Sequence, residues 1–325
     1  MEFEDSILLS VFGLPVTAYA LCLTISLGAG LLLFFGLGKK RRVRESALWS
    51  AALLGVPFGI IGARAFYCLA RFFMYQEMGF LSVLRLWDGG YALWGAVGGA
   101  ALAGWLGAKW HGEKPGAVLD ILAIVGALTI ALGRFAEYFS LQGFGPYVEN
   151  ESLCFFPLAV YRESYDAWSY AVFFMEGLSA LVILAVLLLK TRPRGDTARL
   201  FLLLYSACQI LWESLRRDSV LRWLFVRVSQ LTAALVIAGL MIFAVIRWAK
   251  EKKHRRMKTG AILLCWAAVL LGVGLCVAME FSVDGKILEW LPVWGGYGVM
   301  ALSCIGIGAA AYQVIFKSLG VRADG

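Results

Sequence analysis

The feature that most constrains this chain is a succession of long apolar runs broken by short, basic segments. Of its 325 residues, 61% are hydrophobic and only 16% charged, whereas an ordinary soluble domain is about half apolar and about a quarter charged. A run of about 20 apolar residues crosses a bilayer as a helix. Hydrocarbon offers backbone groups no hydrogen-bonding partner, so such runs must satisfy themselves as helices. The expected fold is therefore all-α, a polytopic transmembrane helical bundle of about nine spans at 11–36, 47–73, 90–110, 117–139, 168–189, 199–215, 223–247, 259–279 and 293–316. Within the third span, Gly95, Gly99, Ala103 and Gly107 form one row at four-residue spacing, and Ala96, Ala100, Gly104 and Ala108 form a second. Rows of this kind let neighbouring helices approach closely.

Charge placement sets the expected orientation. The net charge of +8 does not imply nucleic acid as a partner, because the basic residues sit in short loops between spans and face membrane lipids. Twenty of the 30 Lys and Arg fall in segments 37–46, 109–116, 190–199, 247–258 and the C-terminal tail, all on one side of the alternation. By the positive-inside rule that side is the cytoplasm. The opposite loops carry Glu149, Glu151, Glu163, Asp166, Glu280, Asp284 and Glu289. The chain is expected in a bacterial cytoplasmic membrane with its N-terminus outside and its C-terminus inside. Its acidic start, Met1 to Asp5, lacks the basic region of a cleavable signal. The seven cysteines show no CxxC spacing, and six read as small apolar packing residues within spans. His111 and His254 are both expected on the cytoplasmic side, leaving no His or Cys cluster outside; neither a metal nor another cofactor is implied.

Ten basic residues break the orientation rule: Arg64, Arg71, Arg85, Arg134, Arg162, Arg216, Arg217, Arg222, Arg227 and Lys286, all near outer ends of spans. Nine of them are arginine. A charge at the bilayer centre costs about 2.5–3.5 kcal/mol even on a lenient insertion scale, so it usually faces a polar interior. Arginine also grips phosphate through two parallel N–H donors and stays charged at any relevant pH. Arginines converging under the outer surface would form a pocket for a phospholipid head group. Structural ion pairing is the competing account for Arg64 and Arg134, and snorkelling to the interface for Arg71, Arg85, Arg222 and Arg227. Arg134, Glu137 and Tyr138 are spaced to share one helix face, and Glu213 and Arg216 repeat the pairing on the sixth span. Gly133, Gly143 and Gly145 bracket the first set and would permit close backbone approach to a ligand. Trp87-Asp88-Gly89-Gly90 opens the third span, with Asp88 either a helix cap or a polar group of the pocket.

The stretch Gly133-Arg134-Phe135-Ala136-Glu137-Tyr138-Phe139-Ser140-Leu141-Gln142-Gly143-Phe144-Gly145 resembles the signature Gly-Arg-x-Gly-Asn-Phe-x-Asn-x-Glu-x-x-Gly of the prolipoprotein diacylglyceryl transferases. In the family's order, Tyr19 resembles the first-span tyrosine, and Gly62-Ala63-Arg64-Ala65-Phe66-Tyr67 the Gly-Gly/Ala-Arg-x-Gly-Tyr segment. Trp87 to Gly90 with Gly95 resembles the third-span box, Glu213 to Arg216 the Glu-x-x-Arg box, and Ser229-Gln230 the serine-glutamine pair of the next span. The sequence departs from the pattern at Trp94, where the family has histidine, and at Glu137, Ser140 and Gln142; the Pro-Ser-Gln-Leu-Tyr-Glu box is not evident around residues 167–172.

The resemblance implies a seven-span transferase-like core over residues 1–250 and two added C-terminal helices over 251–325. It further implies transfer of a diacylglyceryl group from phosphatidylglycerol to the lipobox cysteine of pre-prolipoproteins at the outer face, with release of glycerol phosphate. On that basis Arg134 and Arg216 would take up the charge of the departing phosphate, and Tyr19 would position the phosphate or the thiol. Glu137 or Glu213 would accept the thiol proton. Arg64 would hold the head group, with Asp88, Gly90, Gly133, Tyr138, Gly145 and Gln230 lining the substrate site. Two other readings are a phospholipid-dependent transferase with a different acceptor and a non-catalytic lipid-binding relative.

Overall fold

Ten α-helices and three short hairpins are described in a computed structural model covering residues 7–11, 14–189, 192–217, 221–223, 226–288 and 290–319. Glu289, Lys190 and Arg322, which entered the orientation reading, lie outside these residues. The chain opens with an antiparallel hairpin, β1 (Ile7–Val11) and β2 (Leu14–Thr17), in which Ser10 pairs with Pro15 and Val11 with Leu14. Helix α1 (Ala18–Lys40) follows directly. Thr17 caps it, its hydroxyl accepting from Ala20 N at 3.2 Å. The expected first span thus begins seven residues late, at 18 instead of 11. Residues 11–17 are apolar enough to extend the run, but Pro15 within them lacks an N–H and suits a short edge strand.

The first compact unit comprises residues 1–201 and 216–228. It holds α1, α2 (Glu45–Ala70), α3 (Phe72–Met78), α4 (Leu93–Trp110), α5 (Pro115–Ala136) and α6 (Val172–Leu189). Two further hairpins belong to it: β3 (Ala159–Arg162) with β4 (Ala167–Tyr170), and β5 (Arg222–Trp223) with β6 (Val226–Arg227). Because β4 runs to Tyr170, the fifth span starts at Val172, four residues after the expected 168. The two small-residue rows of α4 address two neighbours. A methyl group on Gly95 or Gly99 would strike the carbonyls of Gly62 or Phe58 in α2, and one on Gly104 would strike Leu122 of α5. Ala47, Leu48, Ala51, Ala108, Val118 and Ile121 complete a core where α2, α4 and α5 meet. Buried Asp120 of α5 accepts from Gly195 N at 2.7 Å and Ala198 N at 2.8 Å, satisfying orphan donors at the start of α7 (Asp196–Leu215).

The second compact unit comprises residues 202–215 and 229–325. It holds most of α7 together with α8 (Val228–Lys250), α9 (Thr259–Val283) and α10 (Val293–Tyr312). Gly272 of α9 receives Ile307 of α10, and Cys276 lies 4.0 Å from Cys304. Among the described residues seven helices are long and apolar enough to cross a membrane, and the protein is a multi-pass membrane protein. The other two expected spans, 90–110 and 199–215, are also helices, α4 and α7, but are less apolar. The cause is packing. The α4 faces meet other helices and so need small residues, while α7 buries Gln209, Glu213 and Ser214 against protein.

Candidate active site

Two arginines and two glutamates close into a ring inside the first unit. Arg134, on the last turn of α5, pairs through Nη1 with Glu137 and through Nη2 with Glu176 Oε1 at 2.8 Å. Arg216, the first residue beyond α7, reaches Glu137 Oε2 at 3.5 Å and Glu176 Oε2 at 3.6 Å. Each carboxylate therefore turns one oxygen to each guanidinium. Glu176 sits within α6 at 0% exposure. Charges withdrawn from water are tolerable only when they are paired, and in the ring each carboxylate faces both guanidinium groups within 3.6 Å. Its two short sides run to Arg134 and its two longer sides to Arg216.

Local structure explains the geometry. Helix α5 ends at Ala136, and Glu137–Ser140 form a single 3-10 turn closed by Ser140 Oγ donating to the Glu137 carbonyl at 3.1 Å. Gly143, at φ +75°, lies where any Cβ would sit 2.5 Å from Glu137 Oε2 and 2.6 Å from Phe173. Only glycine suits both the left-handed backbone and that approach. On the other side, Arg217 N donates to Phe144 O at 2.9 Å, and buried Arg227 donates through Nη1 to the Arg216 carbonyl at 3.1 Å. Arg227 thus holds the backbone of Arg216, which corrects its reading as an interfacial snorkel. Tyr19, partly buried at the start of α1, lies within electrostatic reach of Glu137, Arg134 and Arg216. Beside it an apolar cleft of about 220 Å³ is lined by Cys22, Ile25, Ser26, Leu132, Phe135, Ala136 and Phe139.

The remaining expected site residues are placed as follows. Arg64 is buried but spends its donors on carbonyls of the 82–90 segment: Nε on Val83 at 3.0 Å, Nη2 on Ser82 at 3.1 Å and Arg85 at 2.8 Å, and Nη1 on Gly89 and Gly90. The expected convergence of three arginines is thus a convergence of two, with Arg64 fastening the 80–90 segment to α2. Gly90, at φ +75°, packs its Cα against Tyr67 and Arg64. Asp88 is exposed in a 3-10 turn, and Ala92, not Asp88, occupies the N-cap of α4. Tyr138 does not share the face of Arg134. Its position falls in the 3-10 turn, which advances three residues per turn, and its ring is exposed against Phe139 and Phe173. Gly145 donates to Tyr170 O at 2.8 Å and joins the loop to β4, while Gly133 faces open space beyond Leu23 at 3.6 Å. In the second unit, Glu213 accepts from Gln209 at 3.2 Å and Gln230 donates to Ile210 O at 3.0 Å.

Glu176 escaped the sequence reading, although a carboxylate inside an otherwise apolar run is itself a signal of a polar site. Among the described residues no group of three or more His, Cys, Asp or Glu could hold a metal ion. The family model described as prolipoprotein diacylglyceryl transferase matches residues 6–246. A phosphatidylglycerol–prolipoprotein diacylglyceryl transferase of Streptococcus suis is 28% identical over 255 residues, spanning 76% of this chain and 94% of that protein. One from Gloeobacter violaceus is 29% identical over 259 residues, 78% of this chain and 95% of its own. One from Frankia alni is 31% identical over 242 residues, 70% of this chain and 62% of its own.

Proposed function

Because the chain belongs to the prolipoprotein diacylglyceryl transferase family, we propose that it moves the diacylglyceryl group of phosphatidylglycerol onto the lipobox cysteine of pre-prolipoproteins. The reaction takes place at the outer face of the cytoplasmic membrane, with the N-terminus outside and the C-terminus inside. Residues 1–250 form the transferase-like part, to which residues 251–325 add two helices. The observation that carries the reading is the buried ring of Arg134, Glu137, Glu176 and Arg216 beside Tyr19 and an apolar cleft. A lipid with an anionic head and apolar tails matches that pairing of features.

In the proposed chemistry a carbon–sulfur bond forms as the adjacent carbon–oxygen bond to phosphate breaks. Glycerol phosphate leaves with the electron pair of that bond. Arg216 releases its longer carboxylate contacts to grip the phosphate, and Arg134 stabilises the charge that accumulates on it. Donors aimed where charge develops are worth about two to three decades of rate each. Tyr19 orients the head group or the thiol, and Glu137, or Glu213 in its place, accepts the thiol proton. Glu137 stands where the family signature has asparagine, and the two arginines supply the compensating charge.

The test is a mass-spectrometric assay of a lipobox peptide with phosphatidylglycerol and purified protein. The expected product is the peptide plus one diacylglyceryl group, lost by about two decades or more in Arg134→Ala and Arg216→Ala. An unmodified peptide with the wild type, or full activity in both variants, overturns the reading.

A further inference from the structure

We propose that Arg162, on the β3–β4 hairpin, is a further phosphate ligand beside the charged ring. It takes the phosphate of phosphatidylglycerol as it arrives or that of glycerol phosphate as it leaves. The assignment rests on the transfer reaction proposed for this chain. Side chains alternate along β3, so Val160 and Arg162 share a face. Val160 packs against the buried cluster of Phe144, Ala171 and Phe173, and Arg162 is thereby turned toward the same cluster. Its guanidinium carbon lies 4.7 Å from the centre of the Phe144 ring and 4.1 Å from that of Tyr165. Arg64 and Arg227 give their donors to carbonyls, and Arg134 and Arg216 face carboxylates. Arg162 rests on aromatic faces instead. Among the described residues no protein oxygen takes a hydrogen bond or ion pair from it. Asp166, in the same turn, accepts from the Tyr161 hydroxyl.

A guanidinium lying on aromatic rings keeps its N–H donors in its own plane, where two of them can meet two oxygens of one phosphate. The platform beneath it is fixed. Phe144 is 2% exposed and meets Phe173 edge to face at 5.5 Å. Its carbonyl accepts Arg217 N at 2.9 Å, and Gly145 N donates to Tyr170 O at 2.8 Å. Gly143, the residue before it, stands against Glu137 Oε2 of the ring. Through Phe144 alone, Arg162 thus touches the loop that lies against Glu137 and holds the residue after Arg216. Arg162 is partly exposed, whereas the ring is withdrawn from water. Glycerol phosphate is a small soluble dianion that leaves the ring for water, and phosphatidylglycerol carries its phosphate at the bilayer surface. A part-exposed arginine at the margin of the ring can meet either. A lysine would serve less well, because an ammonium is more strongly hydrated and has no planar fork of donors.

The experiment uses the full-length protein in detergent with phosphatidylglycerol and a lipobox peptide, and glycerol phosphate as added inhibitor. Arg162→Leu keeps an apolar contact on Phe144 and removes the guanidinium. It is expected to raise KM for phosphatidylglycerol or the inhibition constant of glycerol phosphate about tenfold, with kcat within about twofold. A raised KM identifies the lipid as the source of the phosphate. A rise confined to the inhibition constant identifies the released product. A lower folded fraction or kcat with both constants unchanged marks a purely structural arginine and overturns the proposal. A change confined to KM for the peptide also overturns it, since it assigns Arg162 to the acceptor. Arg162→Lys is expected to lose about threefold in the same constant. If Arg162→Leu does not fold, wild-type constants in Arg162→Lys overturn the proposal equally. Thermal melts read the site without turnover. Glycerol phosphate, or phosphatidylglycerol added to the micelles, is expected to raise the melting temperature of the wild type more than that of Arg162→Leu; equal shifts with both additives overturn the proposal. A wild type that binds in this way yet leaves the peptide unmodified counts against the transfer reaction and leaves the phosphate site standing.

Discussion

Glu176 is the residue on which the charged ring turns. Its carboxylate is withdrawn from water and divided between two guanidinium groups, one at 2.8 Å and one at 3.6 Å. Removing one partner from such a buried pair commonly costs about 3–5 kcal/mol, because the remaining charge stays behind without compensation. Glu176→Ala is therefore expected to lose folded protein in a thermal melt. Glu176→Gln keeps two acceptor positions for Arg134 and is expected to fold, with transfer activity at least about tenfold below wild type. A Glu176→Gln protein with full activity would remove Glu176 from the site. Arg216→Lys is expected to behave like Arg216→Ala in turnover, since a single ammonium cannot reproduce a two-pronged contact. Of the ring, Arg134 and Glu137 were legible as a pair because three residues of helix separate them. The partners of Arg216 were not. Helical spacing points it at Glu213, but α7 stops at Leu215, and beyond that end periodicity says nothing about direction.

At the scale of elements, α4 shows what small residues accomplish. Gly99 meets the Phe58 carbonyl of α2 so closely that a side chain has nowhere to go, whereas Gly98 next to it faces open space. Gly99→Val is expected to separate α2 from α4 and to abolish a cooperative melt; Gly98→Ala is expected to leave melting and activity unchanged. Equal tolerance at both positions would sink the close-approach account. The rows were readable in advance because four-residue spacing fixes a helix face whatever the neighbour is. Span ends were less readable. Val11, residues 14–17 and residues 168–170 continue the runs beside them, yet they pair as strands of β1–β2 and β3–β4. Length and hydropathy cannot separate a short apolar strand from the first turns of a helix; only the pairing partner can.

For the whole molecule, the family match and the compact units divide the chain differently. The match ends at residue 246, while the second unit runs from 202–215 through 229–325 and draws α7, α8, α9 and α10 together. Within that unit Ala207 of α7 lies 3.7 Å from the position of a Cβ on Gly308 of α10, and Ser214 of α7 is bound to Glu280 of α9. Helices in lipid associate through such close packing and hydrogen bonding, because burial from water no longer drives them. A chain ending at Lys250 would keep every residue of the family match yet leave this face of α7 against acyl chains, with the Ser214 hydroxyl stripped of its acceptor. That truncation is expected to insert, to melt at least about 5 °C lower than the full chain, and to lose most of its transfer activity. A truncated chain with wild-type melting and turnover would make the last two helices an independent addition.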